Sequence, residues 1–544
     1  MTFDLVERPW IMVHRRADGR VEEVSIREAF ARAGEFRTLL GEVPTQTFAL
    51  VRMLLAILHR AVDGPVDPAD WHALWRDRDL PMSDIDGYLD KYRNRFDLLS
   101  PEQPFYQVAK LRPEKSQVFG LTKLIADVPA GAPYFTTRLK RGVERISFAE
   151  AARWVVHCQA FDPSGIKTGA ADDRRVKGGK GYPIGVGWAG NLGGVLVEGP
   201  DLRETLLLNL MPRGSGGLPA DERDAPVWER PPLGPEEADM SERPYGPLDL
   251  YTWQSRRLRL FHDGEAVTGA MISNGDRLTP QNMFQYEPMS AWRRSKAQER
   301  KLGEVPVYMP REHRPERAFW RGLGSLLPSV AQEGAGREAP ESLPPAVLRW
   351  LGHARGRGWL PGHYTLRTRA IGMTYGGKQA VTEDIVDDGV ALPVVLLAES
   401  DREMGITAVD AVRDAEESAR LLGHLAGNLA LAAGGDAGGP RERAEEAAYA
   451  NLDPLFRRWL AGLGPETDPT QARARWQRIV RDRIGELGED LVAQAGPTAW
   501  RGRTVGDWHI STPEADRNFR RQLRRLLPLA YAEENHEEKV EVPA

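Results

Sequence analysis

After residue 400 apolar residues recur at helical spacing in four segments, about 406–433, 440–462, 469–495 and 512–532, separated by Gly- or Pro-bearing breaks. In the third segment the apolar stripe is Trp476, Val480, Ile484, Leu487 and Leu491; in the fourth it is Phe519, Leu523, Leu526 and Leu527. Pro528 should kink or end the last helix. Four helices of this length joined by modest loops predict an antiparallel four-helix bundle. Ahead of it the pattern is mixed. The first 40 residues predict a hairpin around Asp18-Gly19, then a helix over "SIREAFARAGEFRTLL" with Ser25 as N-cap. A second helix covers roughly 46–62, and 66–100 is helical and aromatic. Ser147 and Glu150 form a capping box opening "SFAEAARWVVHCQAF", and a further helix spans 200–211. "LDLYTWQSRRLRLFHDG" reads as a strand pair, and "PVVLLAES" (393–400) as a buried strand or the start of a helix.

Two segments fit neither period. Residues 120–145 contain a Pro-Ala-Gly-Ala-Pro loop followed by the basic residues Arg138, Lys140 and Arg141. Residues 163–199 hold eleven glycines, a density that costs conformational entropy and suits backbone that must approach another molecule closely. A plain flexible surface loop is the alternative. Two of the late helices are strongly basic outside their stripes, through Arg473, Arg475, Arg478, Arg481 and Arg483 and then Arg517, Arg520, Arg521, Arg524 and Arg525. The tail "EENHEEKVEVPA" lacks periodicity and is predicted to be disordered.

Composition narrows the picture. A chain of 544 residues predicts two to four domains, and 41% hydrophobic content supports sizeable cores. A net charge of −5 announces no global nucleic-acid field, although the 73 basic residues are mostly clustered arginines. One cysteine, Cys158, excludes a disulfide framework and a Cys-based zinc site and fits a reducing cytosol. The most apolar run, 47–62, carries Arg52 and His59 and is too short for a membrane span, so it predicts a buried core helix in a soluble, cytoplasmic protein.

No active site emerges. HExxH and GxSxG are both absent. His262-Asp263 reads as a hairpin turn rather than a metal dyad. Cys158 directly follows His157 on a helix, where neighbours do not face each other, so a small buried thiol is expected. "IGMTYGGKQAVTED" (371–384) begins like a phosphate-binding P-loop: Gly372, four residues, Gly377 and Lys378. Gln379 then stands where a Ser or Thr should hold Mg²⁺. A nucleotide-dependent enzyme built on 372–379 is one reading. A tight exposed tip presenting a lysine and a glutamine is the other, and it suits a nucleic-acid groove.

Several segments in order resemble the large subunit (CasA family) of the type I-E CRISPR Cascade surveillance complex. They are "FDLVERPWIMV", "FDLLSPEQPFYQV" (96–108), the glycine-rich stretch leading to "PDLRETLLLNLM", "YTWQSRRLRL", "YGGKQA" and the C-terminal helical block. The resemblance implies an α+β chain: a large mixed α/β N-terminal domain over 1–400, an all-α four-helix bundle over 401–535 and a tail over 536–544. It implies a subunit that is not an enzyme; the cysteine-rich zinc knuckle of some relatives is absent here, and no metal or cofactor is expected. Its implied partners are the other Cascade subunits with crRNA, target double-stranded DNA, and a helicase-nuclease recruited to the R-loop. Such a subunit tests duplex DNA for the protospacer-adjacent motif (PAM) from the minor groove and then wedges the duplex open. Matched residue by residue, the glycine loop falls on Ser164, Gly165, Ile166, Lys167, Thr168 and Gly169. The lysine-bearing loop falls on 272–277, where Asn274, Gly275 and Arg277 stand and the lysine is missing. The wedge falls on Gln379, flanked by Gly377, Lys378 and Ala380. Bundle arginines Arg473, Arg478, Arg481, Arg520, Arg521 and Arg524 are expected to touch DNA backbone. Arg138, Lys140 and Arg141 lie in the matching guide-RNA contact loop.

Overall fold

The opening hairpin forms where the Asp18-Gly19 turn places it. Ile11–Arg15 pairs antiparallel with Val21–Val24, and Gly19 takes the positive φ that the turn requires. The helix expected next is cut short. It runs Ile26–Ala31 with a complete capping box between Ser25 and Glu28. "FRTLL", expected to extend it, is instead the strand Phe36–Leu40, paired with Ile11–Arg15 and burying Phe36 and Leu39. Its apolar residues fit either period, and the free edge of the hairpin decides the outcome by supplying ladder hydrogen bonds.

This computed structural model describes residues 1–128, 138, 143–331 and 339–532. The chain divides into two compact units. The first comprises Met1–Phe319, Ala331–Ala354 and Leu366–Gly389; the second comprises Trp320–Val330, Arg355–Thr365 and Val390–Ala544. The first is mixed α/β. Its core is organised around the helix Pro44–Ala61, whose residues from Thr45 to Leu58 are all buried. Arg52, the charge inside that apolar run, forms a bidentate pair with Glu287 at 2.8 Å on both nitrogens and lies 4.5 Å from the centre of the Tyr251 ring. A buried arginine satisfied in this way belongs to a protein core. Among the described residues no helix is long and apolar enough to cross a membrane.

The helix Phe148–Phe161 starts at Ser147, whose side chain accepts from the Glu150 N–H. The reciprocal half of the expected box is missing because the Glu150 carboxylate turns to the Trp154 indole and to Arg138. The strand pair expected over 248–264 is one helix and one strand. Pro247–Tyr251 is helical, and the strand Arg256–His262 pairs with Val267–Asn274 further on. Asp263 caps the turn by accepting from the N–H groups of Glu265 and Ala266, so His262-Asp263 is a hairpin corner. A three-stranded sheet places Thr365–Tyr375 between Gly194–Glu198 and Thr382–Pro393. "VVLLAES" follows that last strand as a buried 3₁₀ turn, Val394–Leu397.

In the second unit the long helices are Arg402–Ala433, Gly438–Ala461, Pro469–Ala493 and Thr512–Leu526, the first packing against the other three. Trp476, Val480, Ile484, Phe519 and Leu523 are buried as their spacing predicts. Leu487 and Leu491 are only half-buried, because Gly488 admits the Phe519 ring in their place. Pro528 ends the fourth helix and starts a 3₁₀ turn, Pro528–Tyr531. Trp320 joins this unit by stacking on Phe456 at 4.2 Å and donating to Asp453 at 2.7 Å. A short helix, Pro497–Arg501, and a small hairpin, Arg503–Val505 with Trp508–Ile510, separate the third and fourth helices. The apolar pattern did not announce either of them.

Candidate nucleic-acid interface

The glycine-rich segment leaves the helix Phe148–Phe161 at Asp162, and Asp162 holds the site together. Its Oδ2 lies 2.5 Å from both Arg256 Nε and Lys167 Nζ, and all three side chains are buried or nearly so. Burial alone would raise the Asp162 carboxyl, but the two cations hold it below the usual carboxylate range. The rest of the Arg256 guanidinium donates to the carbonyls of Asp162, Pro163 and Gly185 at 2.8 to 3.1 Å. One arginine therefore ties the helix end, both sides of the glycine-rich segment and the 256–274 hairpin.

The 371–384 motif is the connection of a β-hairpin, with Thr365–Tyr375 on one side and Thr382–Pro393 on the other. A P-loop needs a helix after its lysine, whose N-terminal N–H groups receive the phosphate. Here a strand follows, so the nucleotide-site reading fails on topology. The hairpin is anchored beside Asp162, because the Tyr375 hydroxyl donates to the Phe161 carbonyl at 2.7 Å. Its tip, Gly377 to Ala380, is exposed. Lys378 and Gln379 both take positive φ, 60° and 56°, as the two central residues of a primed turn. Glycine or asparagine normally fills such positions, and each longer side chain held there costs about 1 kcal/mol or more. A second turn in the glycine-rich segment supplies the contrast. Between Lys177 and Lys180 the positive-φ positions are filled by Gly178 and Gly179. The 377–380 tip instead holds a lysine and a glutamine at these positions, both exposed.

The three sequence-predicted elements converge. Gly165 has φ of +121°, and a Cβ placed on it would sit 3.8 Å from the Ala380 Cβ. The glycine loop and the tip are thus in van der Waals reach. Lys167–Thr168 pairs with Lys180–Gly181. Asn274 lies beneath that pair and donates from Nδ2 to the Tyr182 carbonyl at 2.5 Å. Within the glycine loop, Ile166 is exposed, Thr168 is half-buried and accepts from Gln117, and Ser164 and Gly169 are buried. Of the expected 272–277 loop, 272–274 is the paired end of the strand Val267–Asn274, and the turn begins at Gly275, where a Cβ would meet the Gln254 carbonyl at 2.3 Å. Asp276 pairs with the buried Arg257 at 2.5 Å. Arg277 is exposed.

Several candidates therefore face inward. Lys167 is bound to Asp162 and Asn274 is buried, so neither is displayed as Gln379 and Arg277 are. The residues that sequence reasoning missed are Asp162, Arg256 and Tyr375, together with the exposed lysines Lys177 and Lys180. The basic spacing of "VKGGKG" was the available signal for that last pair.

The arginines of the helical unit are largely engaged within it. Arg473 pairs with Asp410 at 2.6 Å and Asp414 at 3.2 Å. Arg481 pairs with Asp482 and donates to the Ala530 carbonyl. Arg520 pairs with Asp516 and Glu489, and Arg521 donates to Asn518. Arg524 stacks on Tyr531, and Arg478 is half-buried. In the first unit Arg138 pairs with Asp127 and Glu150. Lys140, Arg141 and the tail lie outside the described residues. Cys158 is buried with its thiol pushed up by burial, and His157 contacts Thr45 Oγ1 at 2.9 Å instead. Among the described residues no group of three or more His, Cys, Asp or Glu side chains is placed to hold a metal.

The protein is thus a mixed α/β unit carrying an exposed Lys-Gln hairpin tip, together with a second unit of long helices. The chain belongs to the CRISPR-associated Cse1 family, whose model matches residues 4–487. It is similar to the crystal structure of Thermobifida fusca Cse1, with a TM-score of 0.91, 49% identity and coverage of 97% of this chain and 99% of that one. Cse1 from Acidimicrobium ferrooxidans matches with a TM-score of 0.80 and 31% identity, covering 98% of this chain and 99% of that one. The CasA/Cse1 protein of Thermus thermophilus is 34% identical over 444 residues, which is 80% of this chain and 79% of that protein.

Proposed function

We propose that this chain is the non-catalytic large subunit of a cytoplasmic, crRNA-guided type I-E Cascade complex. In this reading it tests duplex DNA for a PAM from the minor groove, opens the duplex to start the R-loop, and receives the helicase-nuclease that degrades the target. The observation that carries the reading is the approach of Gly165 to Ala380. It sets a backbone lacking side-chain bulk beside a projecting glutamine. A groove reader needs the first and a wedge needs the second. The minor groove offers a degenerate donor and acceptor pattern, so a reader of this kind tolerates several PAMs, and guide pairing supplies the sequence.

The test is target binding by the assembled complex against a randomised PAM library, with and without this subunit. PAM preference should vanish without it. Unchanged preference would end the proposal.

Lys167 has a loop-fixing role in this reading, because its ammonium is committed to Asp162. Lys167→Met is expected to weaken DNA binding by loosening the loop while leaving the slope of log affinity against log salt unchanged. Losing a true phosphate contact would lower that slope by about one.

A further inference from the structure

A cavity of about 300 Å³ opens within the first unit, between the C-terminal end of the helix Pro44–Ala61, the 209–224 segment and the helix Pro247–Tyr251. Buried apolar side chains, Leu55, Leu210, Met211 and Leu218 among them, make up much of its wall. Most of the charges around it are already committed. Arg60 is bidentate to Glu229 at 2.7 Å, Arg213 pairs with Asp63 at 2.7 Å, and Asp221 pairs with Arg223 at 2.8 Å. Asp224 accepts from the N–H groups of Leu248 and Asp249, and burial pushes its carboxyl up to about 6. Glu222 is exposed.

Two neutral polar side chains on the wall are left over. Tyr251 and His59 both line the cavity, and among the described residues neither side chain makes a hydrogen bond. Protein interiors leave few such groups without a partner. The Tyr251 ring is held in place by the Arg52 guanidinium, 4.5 Å from its centre. The His59 ring packs against Gly64, where a Cβ would come within 2.3 Å of its Cε1. Its Nδ1 is closed off from water without a partner, so a molecule in the cavity meets Nε2. Burial pushes the imidazole down to about 3, which leaves it neutral at neutral pH.

We propose that this cavity binds a small uncharged molecule of phenol type, an apolar ring carrying a hydroxyl group. Its volume lies in the range of ligand pockets. A hydroxyl can accept from the Tyr251 O–H and can either donate to or accept from His59, so it suits both imidazole tautomers. A carboxylate or an ammonium would give up its water without gaining an uncommitted buried counter-charge. Water alone needs two to four polar partners per molecule, and the apolar wall supplies few. The site stands independently of the DNA-reading role.

The experiment titrates the full chain with 2-naphthol, naphthalene, 2-naphthoate and 2-naphthylmethylammonium, with binding read by saturation-transfer NMR. 2-Naphthol should bind with a Kd below about 1 mM, and the two charged probes at least about tenfold more weakly. Tyr251→Phe keeps the ring on Arg52 and removes only the hydroxyl. It should weaken 2-naphthol about fivefold and leave naphthalene unmoved. Gln379→Ala should bind 2-naphthol like the parent. The proposal is overturned if 2-naphthol does not bind at millimolar concentration, or if either charged probe binds as tightly. It is also overturned if Tyr251→Phe leaves 2-naphthol unmoved or weakens naphthalene in parallel.

Discussion

Gln379→Ala is expected to slow R-loop initiation on linear duplex by about tenfold to a hundredfold, because inserting a wedge must offset a few kcal/mol of unstacking per base step. Binding to a target already opened as a bubble should stay close to the parent value. The turn allows a sharper version of this experiment. Gln379 sits at φ 56°, so Gln379→Gly removes the side chain and relieves the backbone, while Gln379→Ala removes only the side chain. The glycine variant should be more stable to heat than the alanine variant, by about 1 kcal/mol. Both should fail equally on linear duplex. Equal loss on duplex and bubble would sink the wedge, and recovery by glycine alone would show that turn geometry, not the amide, matters.

The tip also shows what could be read in the chain before any coordinates. Gly376-Gly377-Lys378-Gln379 announced a tight exposed turn, and the topology agrees. The sequence could not say that Lys378 and Gln379, not the glycines, would occupy the primed positions. That depends on register, which the two long strands set over many residues. Period reading served well where one face is buried along a long helix, as at Trp476, Val480 and Ile484. It failed at "FRTLL", where five residues fit either period and a neighbouring strand edge decided. The interior ion pairs were illegible for a different reason. Lys167 and Arg256 lie 5 and 94 residues from Asp162 along the chain, and nothing in their spacing signals a meeting. Lys167 therefore read as a free cation in a glycine loop. The same holds for Asn274, whose place under Gly181 depends on the pairing of two-residue strands.

The largest stability effect is expected at that same meeting point. Asp162→Asn should destabilise the fold by about 3–5 kcal/mol, because it leaves Arg256 and Lys167 buried without a counter-charge. The pH dependence gives the signature. The folded carboxyl titrates below its unfolded value of about 4. Its contribution is therefore fully present above that value and is lost as pH falls through the folded one. The gap in melting temperature between parent and Asp162→Asn should be wide near neutrality and narrow steadily as the solution is acidified below about pH 4. A gap that stays constant would mean that the carboxylate charge is not what holds the three groups together. Lys167→Met should cost less, since Arg256 keeps its partner and methionine fills the vacated stem. Asp162 adjoins Phe161, whose carbonyl receives the Tyr375 hydroxyl, so the aspartate supports the glycine loop directly and the tip hairpin through one further bond. Loss of Asp162 should thus lower target affinity for every PAM alike, even at temperatures where the variant remains folded. Loss of Arg277 or Gln379 should act only where the groove is read or opened.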